Sequence, residues 1–113
     1  VSRVARLGAL NAPWGLARAP RSFGRFGGDL LVGNFGDGRI NAYRVVDGVW
    51  RHDGALVDRH GAPLTINGLW AIAFGNGAMA GSRDTLFFTS GPHDWRGETE
   101  QSVHGLLGSI ESA

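Results

Sequence analysis

The stretch GDLLVGNFGDGRINAY, from Gly28 to Tyr43, has the pattern of a β-hairpin. An apolar run is followed by a glycine-rich turn, and then by residues that alternate between apolar and polar. Gly36, Asp37 and Gly38 form the predicted turn, where glycine supplies the positive φ that tight turns require. The first prediction is therefore a hairpin inside a β-rich unit.

The composition favours an all-β chain. Of the 113 residues, 42% are hydrophobic, which is enough for a packed core, and 19 are glycine, which fits short strands joined by tight turns. No apolar period of about 3.6 residues continues beyond one turn, so helices are not expected. The length suits one small domain or part of a larger one.

Composition and charge also exclude several kinds of partner. The net charge is +1 and the arginines are scattered among aspartates, so no nucleic-acid face is expected. The absence of cysteine excludes disulfides, thiolate metal sites and cysteine nucleophiles. No membrane-spanning segment is expected either, because no apolar run approaches the roughly 20 residues that a membrane span needs. The first residues lack the apolar core of a signal peptide, so the location stays open and would be cytoplasmic if the chain is made as written.

An internal repeat organises the chain. The segment NAPWGLARAP, residues 11–20, resembles NGLWAIAFGN, residues 67–76, and the hairpin has a weaker counterpart in RDTLFFTSGPHD. The matched pairs are Asn11 with Asn67 and Trp14 with Trp70, each 56 positions apart, and Asp29 with Asp84, 55 apart. Two copies of one structural unit are therefore predicted, spanning residues 11–58 and 67–111.

The sequence of each unit predicts three strands, and that of the first unit predicts a fourth. The predicted strands are Trp14–Arg18, Asp29–Gly33, Arg39–Val45 and Trp50–Val57, then Trp70–Phe74, Thr85–Ser90 and Gly105–Glu111. A four-stranded unit that recurs at such a spacing is typical of a β-propeller blade. Trp14 and Trp70 are expected between the blades as core aromatics, whereas Trp50 and Trp95 are better candidates for exposure.

Two blades cannot close a ring, so the chain is predicted to associate with itself. The second unit lacks its fourth strand, and residues 1–7 (VSRVARL) alternate like an orphan strand. We expect this strand to complete a blade of a neighbouring copy. Three copies would give six blades as a homotrimer, and four copies would give eight.

The motifs LNAPWGLARAP, GGDLLVGNFGDGRINAY, NGLWAIAFGNG and DTLFFTSGP resemble an uncharacterised bacterial family of secreted or periplasmic proteins. Some members carry a PEP-CTERM sorting tail. The resemblance covers Ala9 to Ile110 and corresponds to about the last third of such proteins. It implies a six-bladed propeller related to the NHL and gluconolactonase-like groups, without an assigned activity. The segment GPHDWRGETEQSVHGL is longer and richer in histidine than the usual acidic loop of that family.

The loops at one end of a propeller surround its channel, and polar residues are predicted there. Asn11, Asn67 and Glu98 are candidate metal ligands, because amide and carboxylate oxygens suit calcium or magnesium and added imidazole suits zinc or manganese. Resemblance to gluconolactonase-like propellers implies a divalent ion at this position. The remaining candidates are His93, Asp94 and His104 as catalytic groups, and Asn34, Asp37 and Trp95 as substrate-binding groups.

These residues also have simpler interpretations. Asparagines at strand entries often only cap turns, and His93 with Asp94 would suit a solvated polar loop. His52 and His60 are expected on the surface. Three functions therefore stay open: a metal-assisted hydrolase of a small ester, lactone or phosphoester with broad specificity, a non-catalytic scaffold that binds protein or glycan, and a propeller fragment without a selected function.

Overall fold

A computed structural model describes residues 3–78, 81–91 and 105–112, and it confirms the all-β fold. The strands are β1 (Pro13–Arg18), β2 (Leu30–Asn34), β3 (Ile40–Val46), β4 (Val49–Ala55), β5 (Leu69–Phe74), β6 (Thr85–Ser90) and β7 (Leu106–Glu111). The described ranges contain no α-helix, only a 3-10 turn at Gly24–Phe26. Each of the seven strands predicted within the two units lies within two residues of its expected bounds, because the alternating pattern and the glycines between strands fix them locally.

The strands form two antiparallel sheets. Sheet 1 has the order β1-β2-β3-β4, and sheet 2 has the order β5-β6-β7. Neighbours along the chain are therefore neighbours in each sheet, as in a propeller blade. The described strands do not close a ring by themselves.

The pairing of the strands gives the exact offset between equivalent residues of the two repeats, which the sequence alone does not. Leu16 pairs with Val32 in sheet 1, and Ile72 pairs with Phe88 in sheet 2, which sets an offset of 56 positions for the first two strands. The counterpart of Asp29 is therefore Thr85, not Asp84 as the sequence comparison suggested. The third strands, β3 and β7, are offset further because the connection between β6 and β7 is longer.

The two sheets pack face to face through glycines. An added Cβ at Gly15 would lie 2.7 Å from the carbonyl oxygen of Trp70, and one at Gly33 would lie 3.1 Å from the Leu69 side chain. Both glycines therefore let sheet 2 approach the backbone of sheet 1 closely. The core contains Ala19, Phe23, Phe26, Leu31, Ile40, Ala42, Leu56, Leu69, Ile72 and Leu86.

The tryptophans meet between the sheets, as expected, but Trp14 is not buried. The rings of Trp14 and Trp70 lie edge to face, with centroids 4.8 Å apart. Trp14 is nevertheless 66% exposed, at the register shift where β1 begins. Trp50 is half-buried.

Residues 3–6 form no strand in this single chain. Instead, residues 4–9 lie near Tyr43, Trp50 and His52 on the far side of sheet 1 and line a cleft with them. The exchange of strand 1–7 between copies concerns a partner chain, so it stays a prediction.

Candidate functional site

Three connections meet at one end of the two sheets. The backbone N–H of Gly36, in the β2–β3 turn, donates to the carbonyl of Asn11 at 3.0 Å. The N–H of Ile66, one residue before Asn67, donates to the carbonyl of Gly38 at 2.8 Å. The segments that lead into β1 and β5 are thus tied to the same turn. This end carries Asn11, Asn34, Asp37 and Asn67, which the sequence analysis placed together.

At this end, Asn34 and Asp37 stabilise the backbone. Asn34 is 0% exposed, and its Nδ2 donates to the carbonyl of Ala9 at 2.8 Å. The Oδ1 of Asp37 accepts from the backbone N–H of Arg39 at 3.0 Å. Asn34 therefore holds residue 9 on the sheet and is not open to a ligand, whereas Asp37 is only partly buried.

The predicted metal site of Asn11, Asn67 and Glu98 stays a prediction, because Glu98 lies outside the described residues. Within residues 3–78, 81–91 and 105–112, no three histidine, aspartate or glutamate side chains are close enough together to hold an ion. Asn11 and Asn67 are exposed on their entry segments. The other predicted site residues, His93, Asp94, Trp95, Glu98 and His104, lie outside the described residues.

A half-open cleft of about 400 Å³ lies where residues 8–11 cross sheet 1. Its polar groups come from the β2–β3 turn, β3 and β4. His52 and Asn41 are joined across the strands by a hydrogen bond of 2.8 Å between Nε2 and Oδ1. The cleft is lined by Gly8, Ala9, Leu10, Asn11, Asp37, Arg39, Asn41, His52 and Ala55. We call it the loop-end cleft.

An aromatic groove continues from the loop-end cleft. It has a volume of about 250 Å³, and Gly8, Ala9 and His52 line both spaces. Tyr43 and Trp50 add aromatic surface to it, and the ring of Tyr43 lies 5.3 Å from that of His52. His52 is exposed, as expected, but it lies where the polar and aromatic surfaces meet.

A buried carboxyl pair lies elsewhere on sheet 1. Asp29 precedes β2 and is 2% exposed, and Asp53 lies at the bulge of β4. Arg44 Nε lies 3.7 Å from Asp29 Oδ1, and Arg25 Nη2 lies 3.8 Å from Asp53 Oδ1. The Oδ2 atoms of both aspartates are buried and accept no hydrogen bond from a described donor. A proton shared between the two carboxyls would satisfy both atoms.

This environment raises the pKa of Asp29 from its ordinary value of 3.8 to about 6. Burial is the largest cause, and the hydrogen bond and negative charge of Asp53 add to it. Arg44 and Arg25 oppose the shift in pKa without cancelling it. This pair could not be predicted, because nothing local in the sequence links residues 29 and 53.

Comparison with known proteins gives relatives of viral origin. The chain is 36% identical over 110 residues to the uncharacterized protein R648 of Acanthamoeba polyphaga mimivirus, a match that covers 97% of this chain and 24% of R648. It is 42% identical over 73 residues to the uncharacterized protein L690 of the same virus, covering 65% of this chain and 19% of L690. The chain thus spans about a quarter or less of the length of these relatives.

No family model matches the chain, and no solved structure matches it. In the part of the chain that the structure describes, no helix has the length and apolar character needed to cross a membrane.

Proposed function

We propose that the chain forms two successive blades of a β-propeller and acts as a non-catalytic scaffold that binds a glycan in the loop-end cleft. The observation that carries this proposal is the junction of the polar cleft with the aromatic groove. His52 stands at that junction, with Arg39 and Asp37 on one side and Trp50 on the other.

The cleft offers the chemistry that a sugar requires. Sugar hydroxyls both donate and accept hydrogen bonds, and the cleft supplies donors from Arg39, acceptors from Asp37 and both from Asn11. The apolar face of a sugar ring packs against an aromatic side chain, which the half-buried Trp50 provides. The volume of about 400 Å³ lies within the range of small-molecule sites.

The propeller organisation is supported by the topology of the sheets. Each sheet is an antiparallel meander in chain order, and the two stack with the same register in β1–β2 and β5–β6. The connections at residues 11, 36–38 and 66 gather at one end, as the loops around a propeller channel do. A homotrimer would contain six such blades, and a tetramer would contain eight.

The Arg39→Ala variant tests the cleft. We expect it to weaken the binding of short gluco-, manno- or chito-oligosaccharides by about tenfold or more, because a hydrogen bond from a charged group contributes about 1.5–3 kcal/mol. Isothermal titration calorimetry measures the change. Arg51→Ala is the matched control, since Arg51 is exposed on β4 but does not line the cleft. Its affinity should stay within about twofold of the unmodified chain, a change of under about 0.5 kcal/mol.

If none of these oligosaccharides binds to the unmodified chain, the glycan proposal is wrong. Equal losses in both arginine variants would instead indicate non-specific binding by positive charge.

Metal-assisted hydrolysis is the less supported proposal, because most of its candidate residues lie outside the described residues. It depends on Asn11, Asn67 and Glu98 as ligands and on His93, Asp94 and His104 as catalytic groups. Chelator-sensitive turnover of generic esters or phosphoesters would favour it over the scaffold. Absence of both turnover and oligosaccharide binding would favour a fragment without a selected function.

A further inference from the structure

Each sheet has two different faces, and the register shows which residues correspond. One face carries the larger apolar residues and has a tryptophan at its end, and we call it the tryptophan face. It comprises Leu16 and Val32 in sheet 1, and Ile72 and Phe88 in sheet 2, while Trp14 and Trp70 lie at the register shifts near the starts of β1 and β5. The opposite face has smaller side chains on its first strand, and we call it the small-residue face. It comprises Gly15, Ala17, Leu31, Gly33 and Ile40 in sheet 1, and Ala71, Ala73, Phe87, Thr89 and Leu107 in sheet 2.

Within the chain, one small-residue face and one tryptophan face are already buried against each other. The small-residue face of sheet 1 packs on the tryptophan face of sheet 2, so that a Cβ added at Gly15 would lie 3.1 Å from Ile72 Cγ1. Leu31 and Ile40 join Ile72 in the buried core. This contact is an apolar interface between two unlike surfaces.

The two remaining faces are partly open. Residues 4–9 lie over the β3–β4 side of sheet 1, where Tyr43 is 4% exposed, but the β1 side is not covered. On the tryptophan face of sheet 1, Leu16 is 62% exposed, and Trp14 at its end is 66% exposed. On the small-residue face of sheet 2, Leu107 is 70% exposed. That face also has a shallow, almost wholly apolar groove of about 150 Å³, lined by Ala71, Ile72, Ala73, Phe87, Phe88, Thr89 and Leu107. Exposed apolar surfaces of this kind mark interaction sites.

We propose that a second copy of this chain covers these faces by docking head to tail. The tryptophan face of sheet 1 in one copy packs on the small-residue face of sheet 2 in the next, which reproduces the interface already present inside each chain. Leu16 then meets Ala71 of the second copy, as Ile72 meets Gly15 within the chain. This inference rests on the proposed propeller organisation and adds the partner and its contacts.

The open edge of sheet 2 gives independent support. Strand β7 has β6 on one side and no described strand on the other. Residues 4–9 lie on the tryptophan side of sheet 1, beside Tyr43 and His52. Head-to-tail docking brings this segment towards β7 of the second copy, where a fourth strand is absent. Because the contact is between unlike faces, it generates a ring when the rotation between copies closes.

Cysteine cross-linking tests the docking directly, since the natural chain contains no cysteine. Leu16→Cys and Ala71→Cys are made separately, because both positions are exposed and tolerate the change. Each variant is oxidised alone and in an equal mixture with the other. The mixed pair is expected to form dimers at least about tenfold faster than either variant alone, because a disulfide requires close Cβ atoms. A mixture of Val49→Cys with Ala71→Cys is the control, since Val49 is exposed at the start of β4.

Preferential cross-linking in the mixture supports head-to-tail docking. Faster cross-linking of one variant with itself would show a two-fold interface between like faces, and rates equal to the control would show no docking at these faces. Either result would overturn the proposal. A nuclear Overhauser contact between Trp14 and Trp70 in the same samples would show that the two blades remain packed, so that failed docking is distinguished from a wrong fold.

Discussion

Replacing Gly38 by alanine is expected to destabilise the chain by about 3 kcal/mol or more. Gly38 has φ of +72°, a backbone conformation that costs a residue with a Cβ about 1–2 kcal/mol. The added Cβ would also lie 2.3 Å from the carbonyl oxygen of Ile66, which is backbone and cannot rotate away. Overpacking of this kind costs typically about 1–3 kcal/mol more. Urea unfolding followed by tryptophan fluorescence measures the loss.

Gly48→Ala is the matched control for this prediction. Gly48 has φ of +78°, but nothing lies within 4 Å of an added Cβ. We expect this variant to lose only about 1 kcal/mol, from the backbone conformation alone. The difference between the two variants measures how tightly the segment before β5 docks on the β2–β3 turn. Equal losses would show that the two repeats are not joined at this turn.

Asp29→Asn is expected to stabilise the chain at neutral pH and to remove a pH dependence between about pH 4 and pH 6. The raised pKa of Asp29 means that the folded state holds its proton more tightly than the unfolded state. Below the ordinary value of 3.8, both states are protonated and Asp29 costs no stability. As the pH rises to about 6, the unfolded state releases the proton first, so stability falls.

The size of this effect follows from the pKa. A tenfold difference in proton affinity corresponds to about 1.4 kcal/mol, so the rise to about 6 corresponds to at most about 3 kcal/mol above pH 6. Asparagine carries no charge and can donate a hydrogen bond to Asp53. We therefore expect a gain of about 1–3 kcal/mol at pH 7.5 and little change at pH 4, measured by urea unfolding at several pH values.

Asp47→Asn is the control for charge removal, since Asp47 lies in the exposed turn between β3 and β4. It should leave the pH dependence in place. If Asp29→Asn lowers stability at pH 7.5, the two carboxyls do not oppose each other in the folded chain. The ion pair between Asp29 and Arg44 would then dominate.

The strands were predictable because their signals are local. Alternation in INAYRVV and the apolar run TLFFTS each fix a strand without reference to the rest of the chain. The residue-by-residue alignment of the two repeats was harder to predict from the sequence. The sequence aligned Asp29 with Asp84, whereas pairing of Leu30 with Arg18 and of Leu86 with Phe74 makes Thr85 the counterpart.

The site was less predictable, because it depends on contacts between distant residues. Asn34 was expected to bind substrate, but it is buried and binds Ala9, whose position depends on how the preceding segment crosses the sheet. Asp53 reaches Asp29 at the place where the β3–β4 register shifts, between Ala42 and Tyr43. The exposure of Trp14 depends on how the two sheets pack, and the composition of the chain does not specify this packing.

The mass of the chain in solution tests the central claim most directly. Sedimentation equilibrium at micromolar concentration is expected to show one closed species of three or four times the 12.0 kDa chain mass, because unlike faces that stack in a ring leave none uncovered. A mass of one chain at every concentration would contradict the account, since Trp14, Leu16 and Leu107 would then stay exposed to water.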